Sequence, residues 1–276
     1  MAVSSGARIG TNINAMNAYN ALNDISKKIG TVGLRLATGK RLNQAGDDPA
    51  SFTIARKMQS RSRAIAQAIN NTGDAKSVLA IAEGGLLNIS DILVTIKEKA
   101  SQATNGTFGS DELGAIVTQI NDYFNEIDDI INQTKFSQQK LLSNNFTNKA
   151  FQIGPDSTDQ IVVNLATPIS SADFGLNNLT TLDVGSGTTI ASIDAAINAV
   201  SMELQYVGSL SNRLDYKESM LGVSQSNIDA AISRVYDADL AKEQMEMMKY
   251  QILQNTATAQ LAQANAAPQQ YLQLFR

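Results

Sequence analysis

Asp47 and Asp48, side by side just ahead of Pro49, are the first residues whose types and spacing could do chemistry. Two adjacent carboxylates can hold a divalent cation or share a proton, but a cation needs more oxygen ligands close by. No further acidic residue follows nearby. Their neighbours give them a local task instead. Gly39 and Gly46 interrupt helix, and Pro49 suits the first turn of a new one. An Asp in front of that turn can cap its free N–H groups and complement the helix dipole. Glu218 is a second candidate. It shares an otherwise apolar helical seam with Ser211 and Gln225, and as the one ionisable member it marks where the seam meets solvent or another subunit rather than a cofactor. Gly84-Gly85 is a third. No strand precedes it, as a phosphate loop would require, so the pair marks a close approach between helices, at about 1 kcal/mol per Gly relative to Ala.

Composition removes most remaining chemistry. The 276 residues include no His, no Cys and no Trp, so Cys/His zinc sites, thiol nucleophiles and His-based triads are excluded together. A net charge of -4 and a pI near 4.9 argue against nucleic acid. Residues 1–11 hold no apolar h-region, so no cleaved secretory signal is visible. No run of about 20 apolar residues is present to cross a membrane. With 43% apolar and 17% charged residues, the expectation is a soluble, mainly α protein with no catalytic, cofactor-binding or metal site.

The element that positions the rest spans residues 65–100. Ile65, Ile69, Thr72, Ala75, Leu79, Ala82, Leu86, Ile89, Leu93, Ile96 and Ala100 recur at gaps of three or four. That is the heptad period of a helix supercoiling against a partner. The rod would be about 54 Å long and needs partners of matching length. A shorter helix follows, capped by Ser110 or Asp111, with Leu113, Ile116, Ile120, Phe124, Ile127 and Ile131 on one face; it folds back antiparallel. A β-hairpin near residues 150–165 turns through Gly154-Pro155-Asp156-Ser157. Residues 167–189, rich in Ser, Thr, Asn and Gly, read as a loop. A returning helix then repeats from position 193 to 235 and partners the rod. Rod-core positions are Ile65, Ile69, Leu79, Leu86, Leu93, Ile96, Ile197, Leu204, Leu214, Leu221 and Ile228.

The two ends are amphipathic. Ile9, Ile13, Met16, Tyr19, Leu22, Ile25, Ile29, Val32 and Leu36 form one stripe. Near the other end, Met245, Met248, Ile252, Ala259 and Ala262 form one face, and Leu253, Ala257, Leu261 and Ala264 another. A helix apolar on two faces expects two sets of neighbours, and neither terminal seam has an obvious intrachain partner long enough.

These segments resemble bacterial flagellins. The stretch Arg35-Leu36-Ala37-Thr38-Gly39-Lys40, continuing to Asp47-Asp48, is similar to the family's N-terminal signature. Ala82-Glu83-Gly84-Gly85-Leu86, Gln102-Ala103-Thr104-Asn105-Gly106-Thr107 and Asn132-Gln133-Thr134-Lys135-Phe136 continue the likeness. So does the closing Leu272-Gln273-Leu274-Phe275-Arg276. The resemblance implies a filament subunit of the flagellum. Its long antiparallel helical bundle would carry a small β-hairpin region and lack most of the outer variable domain. Residues 1–45 and 237–276 would pair in the filament core, and residues 46–236 would form the outer rod. Filament-core packing would fall to Ile9, Ile13, Met16, Leu22, Ile25, Ile29, Val32, Met245, Met248, Ile252, Leu253, Leu261, Leu272 and Leu274. Implied partners are other copies of the chain, the filament cap, the hook-filament junction protein and an export chaperone. Nucleic acid and membrane are not among them. The implied location is extracellular, reached without a cleaved signal peptide. In flagellins that activate the vertebrate toll-like receptor, Arg and Leu stand where this chain has Thr95 and Lys99; Glu126 is retained. Rival readings are the hook-filament junction protein, a secreted helical enzyme, and a secreted adhesin or signalling ligand.

Overall fold

The computed structural model describes residues 11–105, 107–143, 146–165, 170, 180 and 187–273. Its helices are α1 (Ile13–Thr38), α2 (Pro49–Ala103), α3 (Ser110–Gln133), α4 (Gly187–Tyr236) and α5 (Leu240–Gln273). Its strands are β1 (Lys135–Phe136), β2 (Gln139–Lys140), β3 (Phe146–Gln152) and β4 (Gln160–Leu165). The fold is mainly α with two small antiparallel hairpins. Contacts divide it into a terminal unit, Met1–Ser60 with Ile228–Arg276, and a middle unit, Arg61–Asn227. Most of the expected loop at 167–189 lies outside the described residues.

In the terminal unit, α1 and α5 pair antiparallel. Asn12 Nδ2 donates to the Ala264 carbonyl at 2.6 Å at one end, and Arg35 meets Glu243 at 3.4 Å at the other. The terminal helices therefore do have an intrachain partner: each other. The less exposed positions of α1 are Ala15, Ala18, Leu22, Ile25, Ile29, Val32 and Leu36; those of α5 are Glu243, Met247, Tyr250, Gln254, Ala257, Leu261 and Ala264. Both rows alternate gaps of three and four, the coiled-coil period. The stripe read from the sequence departs from this seam at Ile13, Met16 and Tyr19. A run of gaps of three drifts about 60° per step around a helix, which carries those side chains off the pairing face. The small Ala15 and Ala18 take their place.

Asn12 caps α1 by accepting from the Ala15 N–H at 3.0 Å, and Asp239 caps α5 through the N–H groups of Ala241 and Lys242. After α1, Gly39 adopts φ +67°, the left-handed conformation that Gly tolerates best, and ends the helix. Its carbonyl then accepts from the Ala238 N–H at 2.9 Å, while the Arg41 N–H donates to the Tyr236 carbonyl at 2.8 Å. Asp48 accepts from the Ser51 N–H at 3.2 Å and caps α2. Asp47 instead accepts from the N–H groups of Asn43 and Gln44, closing the preceding turn. Leu42, Ala55 and Tyr236 are buried together, with Phe52, Ile232 and Val235 against them. That cluster ties the first turns of α2 and the last turns of α4 to the terminal unit. The contact boundaries accordingly fall at Ser60/Arg61 and Asn227/Ile228 rather than near residues 45 and 236.

The middle unit encloses a continuous core from α2, α3, β3, β4 and α4. An 18-residue window of α2 reaches a mean hydropathy of 1.6, so by length and composition the helix is apolar enough to cross a membrane. Its apolar row is used in packing: Leu79, Leu86, Ile89, Leu93 and Ile96 are buried in this core. Gly85 explains the Gly pair. A Cβ there would lie 2.8 Å from Thr134 Oγ1 and 2.9 Å from Leu142 Cδ1, whereas one on Gly84 would meet open space. The close approach is real, but its partners are the end of α3 and the segment after β2 rather than a helix flank. The cap of α3 also differs from expectation. The helix begins at Ser110, with Gly109 at the cap position and no side-chain cap bond. A Cβ on Gly109 would lie 2.7 Å from Glu112 Oε2, so Gly leaves room for that carboxylate to fold back.

In β4, Ile161, Val163 and Leu165 are buried and alternate with exposed residues, as one covered face requires. The β3–β4 hairpin is tied down by Asn71 Nδ2 donating to the Gln152 carbonyl at 3.0 Å. The second hairpin, β1–β2, was not expected. Its turn is Ser137-Gln138, with φ +47° and +67°. Two-residue hairpins want positive φ at both central positions, normally supplied by Asn-Gly.

Candidate assembly interface

The residues expected to pack a filament core divide into two sets. Leu22, Ile25, Ile29 and Val32 of α1 and Leu261 of α5 lie in the α1–α5 seam. Ile13, Met16, Met245, Met248, Ile252 and Leu253 do not; Ile13 is 50% exposed and Ile252 66%. Ile9, Leu272 and Leu274 lie outside the residues whose side chains are described. Tyr19, 55% exposed, joins the outward set. On α5, Met245, Met248 and Ile252 recur at gaps of three and four, so they share a face beside the seam. Covering what remains exposed of each such side chain is worth about 1–2 kcal/mol. Met247, Tyr250 and Gln254 belong to the seam and were missed. Stepping from Glu243 by four and three alternately would have found them.

Polar groups hold the register of this pair. Glu243 and Arg35 are both largely buried, and Gly33 admits Met247 Cε against the α1 backbone. The Lys28 ammonium lies over the Tyr250 ring at 5.8 Å. At the corner, N–H groups of Gln44 and Asn43 hold the Asp47 carboxyl below its ordinary pKa, and bonds from Ser51 do the same for Asp48. Asp47 is spent on backbone donors and Asp48 on the side chain and backbone N–H of Ser51, which is why they serve as turn and cap.

Of the rod-core positions, Ile65, Leu79, Leu86, Leu93, Ile96, Leu214 and Leu221 are buried, and Ile69, Ile197 and Leu204 are half-buried. Ile228 is also half-buried but belongs to the terminal unit. Glu218, the ionisable seam residue, accepts from Lys76 at 3.0 Å, and Asp215 lies 2.5 Å from the same ammonium. These carboxylates, Asp215 first, raise the Lys76 pKa. Glu218 is thus one of three members of an ion cluster within the unit. Lys97 and Asp194 make a second pair at 2.7 Å. Thr95 is half-exposed and its hydroxyl donates to the Asp91 carbonyl at 3.0 Å; Lys99 is half-exposed and Glu126 exposed.

Residues 9–147 match the bacterial flagellin N-terminal helical region, and residues 190–275 match the bacterial flagellin C-terminal helical region. The chain belongs to the flagellin family. It is 35% identical to a flagellin of Bacillus subtilis, with 98% of this chain and 100% of that one covered. To a flagellin of Halalkalibacterium halodurans it is 34% identical, with 97% and 99% covered. A solved chain described as a flagellar hook-associated protein, from Vibrio parahaemolyticus, superposes with a TM-score of 0.56 at 16% identity, covering 69% of this chain and all of that one. That likeness speaks to fold alone. The chain covers these two relatives almost completely, which fits a short form of flagellin. It is a structural subunit that self-assembles into the bacterial flagellar filament, the propeller of swimming motility outside the cell. The hook-filament junction alternative has no better support.

Proposed function

We propose that the filament is held by the outward faces of the α1–α5 pair, and that the role of the chain is structural alone. The observation that carries this is the exposure of Met245, Met248 and Ile252 on a helix whose other face is already paired. Water-exposed apolar rows of this kind favour association through burial at about 25 cal/mol per Å². A heterologous contact repeated between copies gives an open helix. On this reading residues 1–45 and 237–276 act in assembly while residues 46–236 act as the rod. An Ile252→Ser, Met248→Ser variant should keep the monomer's melting temperature within a few degrees and polymerise poorly on filament seeds. Polymerisation equal to that of the unaltered chain sinks the reading.

The finer partners follow the same surfaces. The filament cap, the hook-filament junction protein and an export chaperone would each meet the apolar terminal helices, and export would proceed without cleavage. Sequencing the secreted chain from its N-terminus tests this; a start beyond about residue 15 points to a cleaved leader. Toward the toll-like receptor, Thr95 and Lys99 replace the Arg and Leu of activating flagellins, which removes a bidentate donor and adds a charge to desolvate. Each change costs binding roughly 1–3 kcal/mol, about fivefold to a hundredfold. Monomer should therefore signal weakly on receptor-bearing reporter cells, and a Thr95→Arg, Lys99→Leu variant more strongly. Equal potency overturns this.

A further inference from the structure

The β1–β2 hairpin carries a charge arrangement that the monomer leaves unbalanced. Lys135 and Lys140 are directly opposed across the strands, a like-charge pair that opposes the hairpin's own pairing. Both are exposed. Lys140 Nζ donates to Asn132 Oδ1 at 2.6 Å, and no carboxylate lies within ion-pair distance of either lysine among the described residues. Beside them is a cavity of about 250 Å³ lined by Phe136, Phe146, Phe151 and the stem of Lys149. Phe136 is 38% exposed at its edge.

Helix α3 carries the complementary fault. Asp122, Glu126 and Asp129 fall at i, i+4 and i+7 on one exposed face. Like charges at that spacing destabilise a helix. None of the three makes an ion pair or side-chain hydrogen bond among the described residues. The two surfaces lie near one another: counted from Asn132 at the end of α3, which Lys140 touches, the three acids stand about 5–15 Å back along that helix.

We propose that the β1–β2 hairpin of one copy docks on the Asp122–Glu126–Asp129 face of α3 of a second copy. Each surface repels itself in the monomer, and each supplies the charge the other lacks. The aromatic floor beside Lys149 excludes water from the contact, which strengthens the pairing of the charges. Repeated head to tail from copy to copy, the contact is heterologous. It joins neighbours side by side with a stagger of one to three helical turns, and it leaves a free hairpin and a free acidic row to receive further copies. This rests on the assembly reading above but uses residues of the middle unit, outside the terminal helices.

Charge reversal tests it. A Lys135→Glu, Lys140→Glu variant and an Asp122→Lys, Glu126→Lys, Asp129→Lys variant are prepared as full-length monomers. Their thermal melts establish folding, and the neutral Lys135→Gln, Lys140→Gln variant stands in should a reversal fail to fold. Seeded polymerisation is followed by sedimentation. Each reversal should raise the critical concentration about tenfold, and the five substitutions combined should restore it to within about threefold of the unaltered chain. Unchanged critical concentrations for both reversals, or no restoration in the combination, overturn the docking. Polymerisation of the unaltered chain, and the Ile252→Ser, Met248→Ser variant in the same assay, report on the terminal-helix reading independently.

Discussion

The two units treat the same helical period in opposite ways. In the middle unit Leu86, Ile89, Ile96, Leu214 and Val207 are all 0% exposed, and the ionisable seam residue Glu218 is matched by Lys76. In the terminal unit the α1–α5 seam holds Ala, Glu and Gln among its apolar members, and Met245 and Ile252 beside it stay more than half exposed. The middle unit completes its core within one chain. The terminal unit completes only one face of each helix. A monomer so divided can fold without its neighbours and still present surface that only neighbours can cover.

Removing residues 1–40 and 240–276 is the most severe way to test that contrast. The remaining chain keeps the middle unit and the Leu42, Ala55 and Tyr236 cluster. It should be a helical monomer with a cooperative melt and no detectable polymer in a seeded sedimentation assay. Filaments from this fragment, or loss of its cooperative melt, would break the division. Next in size is Leu86→Ala, which empties a fully buried position of the middle core. It should cost about 2–5 kcal/mol in chemical denaturation. Leu253→Ala, at a position 39% exposed on α5, should cost the monomer less than about 1 kcal/mol.

The middle unit was the more legible of the two, for a physical reason. A heptad row of Ile, Leu, Ala and Thr over residues 65–100 marks one face, and the structure buries all of it except the half-buried Ile69. The terminal stripe divides at Ile13, Met16 and Tyr19 because the sequence there offers two rows. The apolar content favours one, and the spacing of Ala15 and Ala18 favours the other. Hydrophobicity alone cannot separate a row that packs within the chain from one kept for other copies. The β1–β2 hairpin was illegible because Ser137-Gln138 carries no turn signature, although both residues take positive φ. Which of Asp47 and Asp48 caps α2 was also open, since either type would serve; the backbone turn at Asn43 and Gln44 decides it.

The adjacent glycines sharpen the picture of the middle unit at single-residue scale. Gly85→Ala should destabilise by about 1–3 kcal/mol, because backbone or side chains must give way at Thr134 and Leu142. Gly84→Ala meets open space and should stabilise by about 0.5–1 kcal/mol through helix propensity. Denaturation midpoints moving in the same direction for both would show that the core near Leu86 is loose.

The smallest effects separate the two units by pH. Asp48 has a lowered pKa, so its cap contributes fully above the ordinary Asp value of 3.8 and is lost as pH falls through the lower folded value. Lys76 has a raised pKa, so its cluster with Asp215 and Glu218 contributes fully below 10.5 and is lost as pH rises through the higher folded value. An Asp48→Ala variant should therefore melt below the unaltered chain at neutral pH and converge with it toward about pH 2. A Lys76→Met variant should converge with it at the other extreme, above about pH 11. Both groups are open to solvent, so each difference should be a few degrees at most and the Lys76 part should shrink in high salt. A Lys76→Met melt that differs most from the unaltered chain above pH 11 would have the wrong sign, and the ion cluster would then not be what settles Glu218 in its seam.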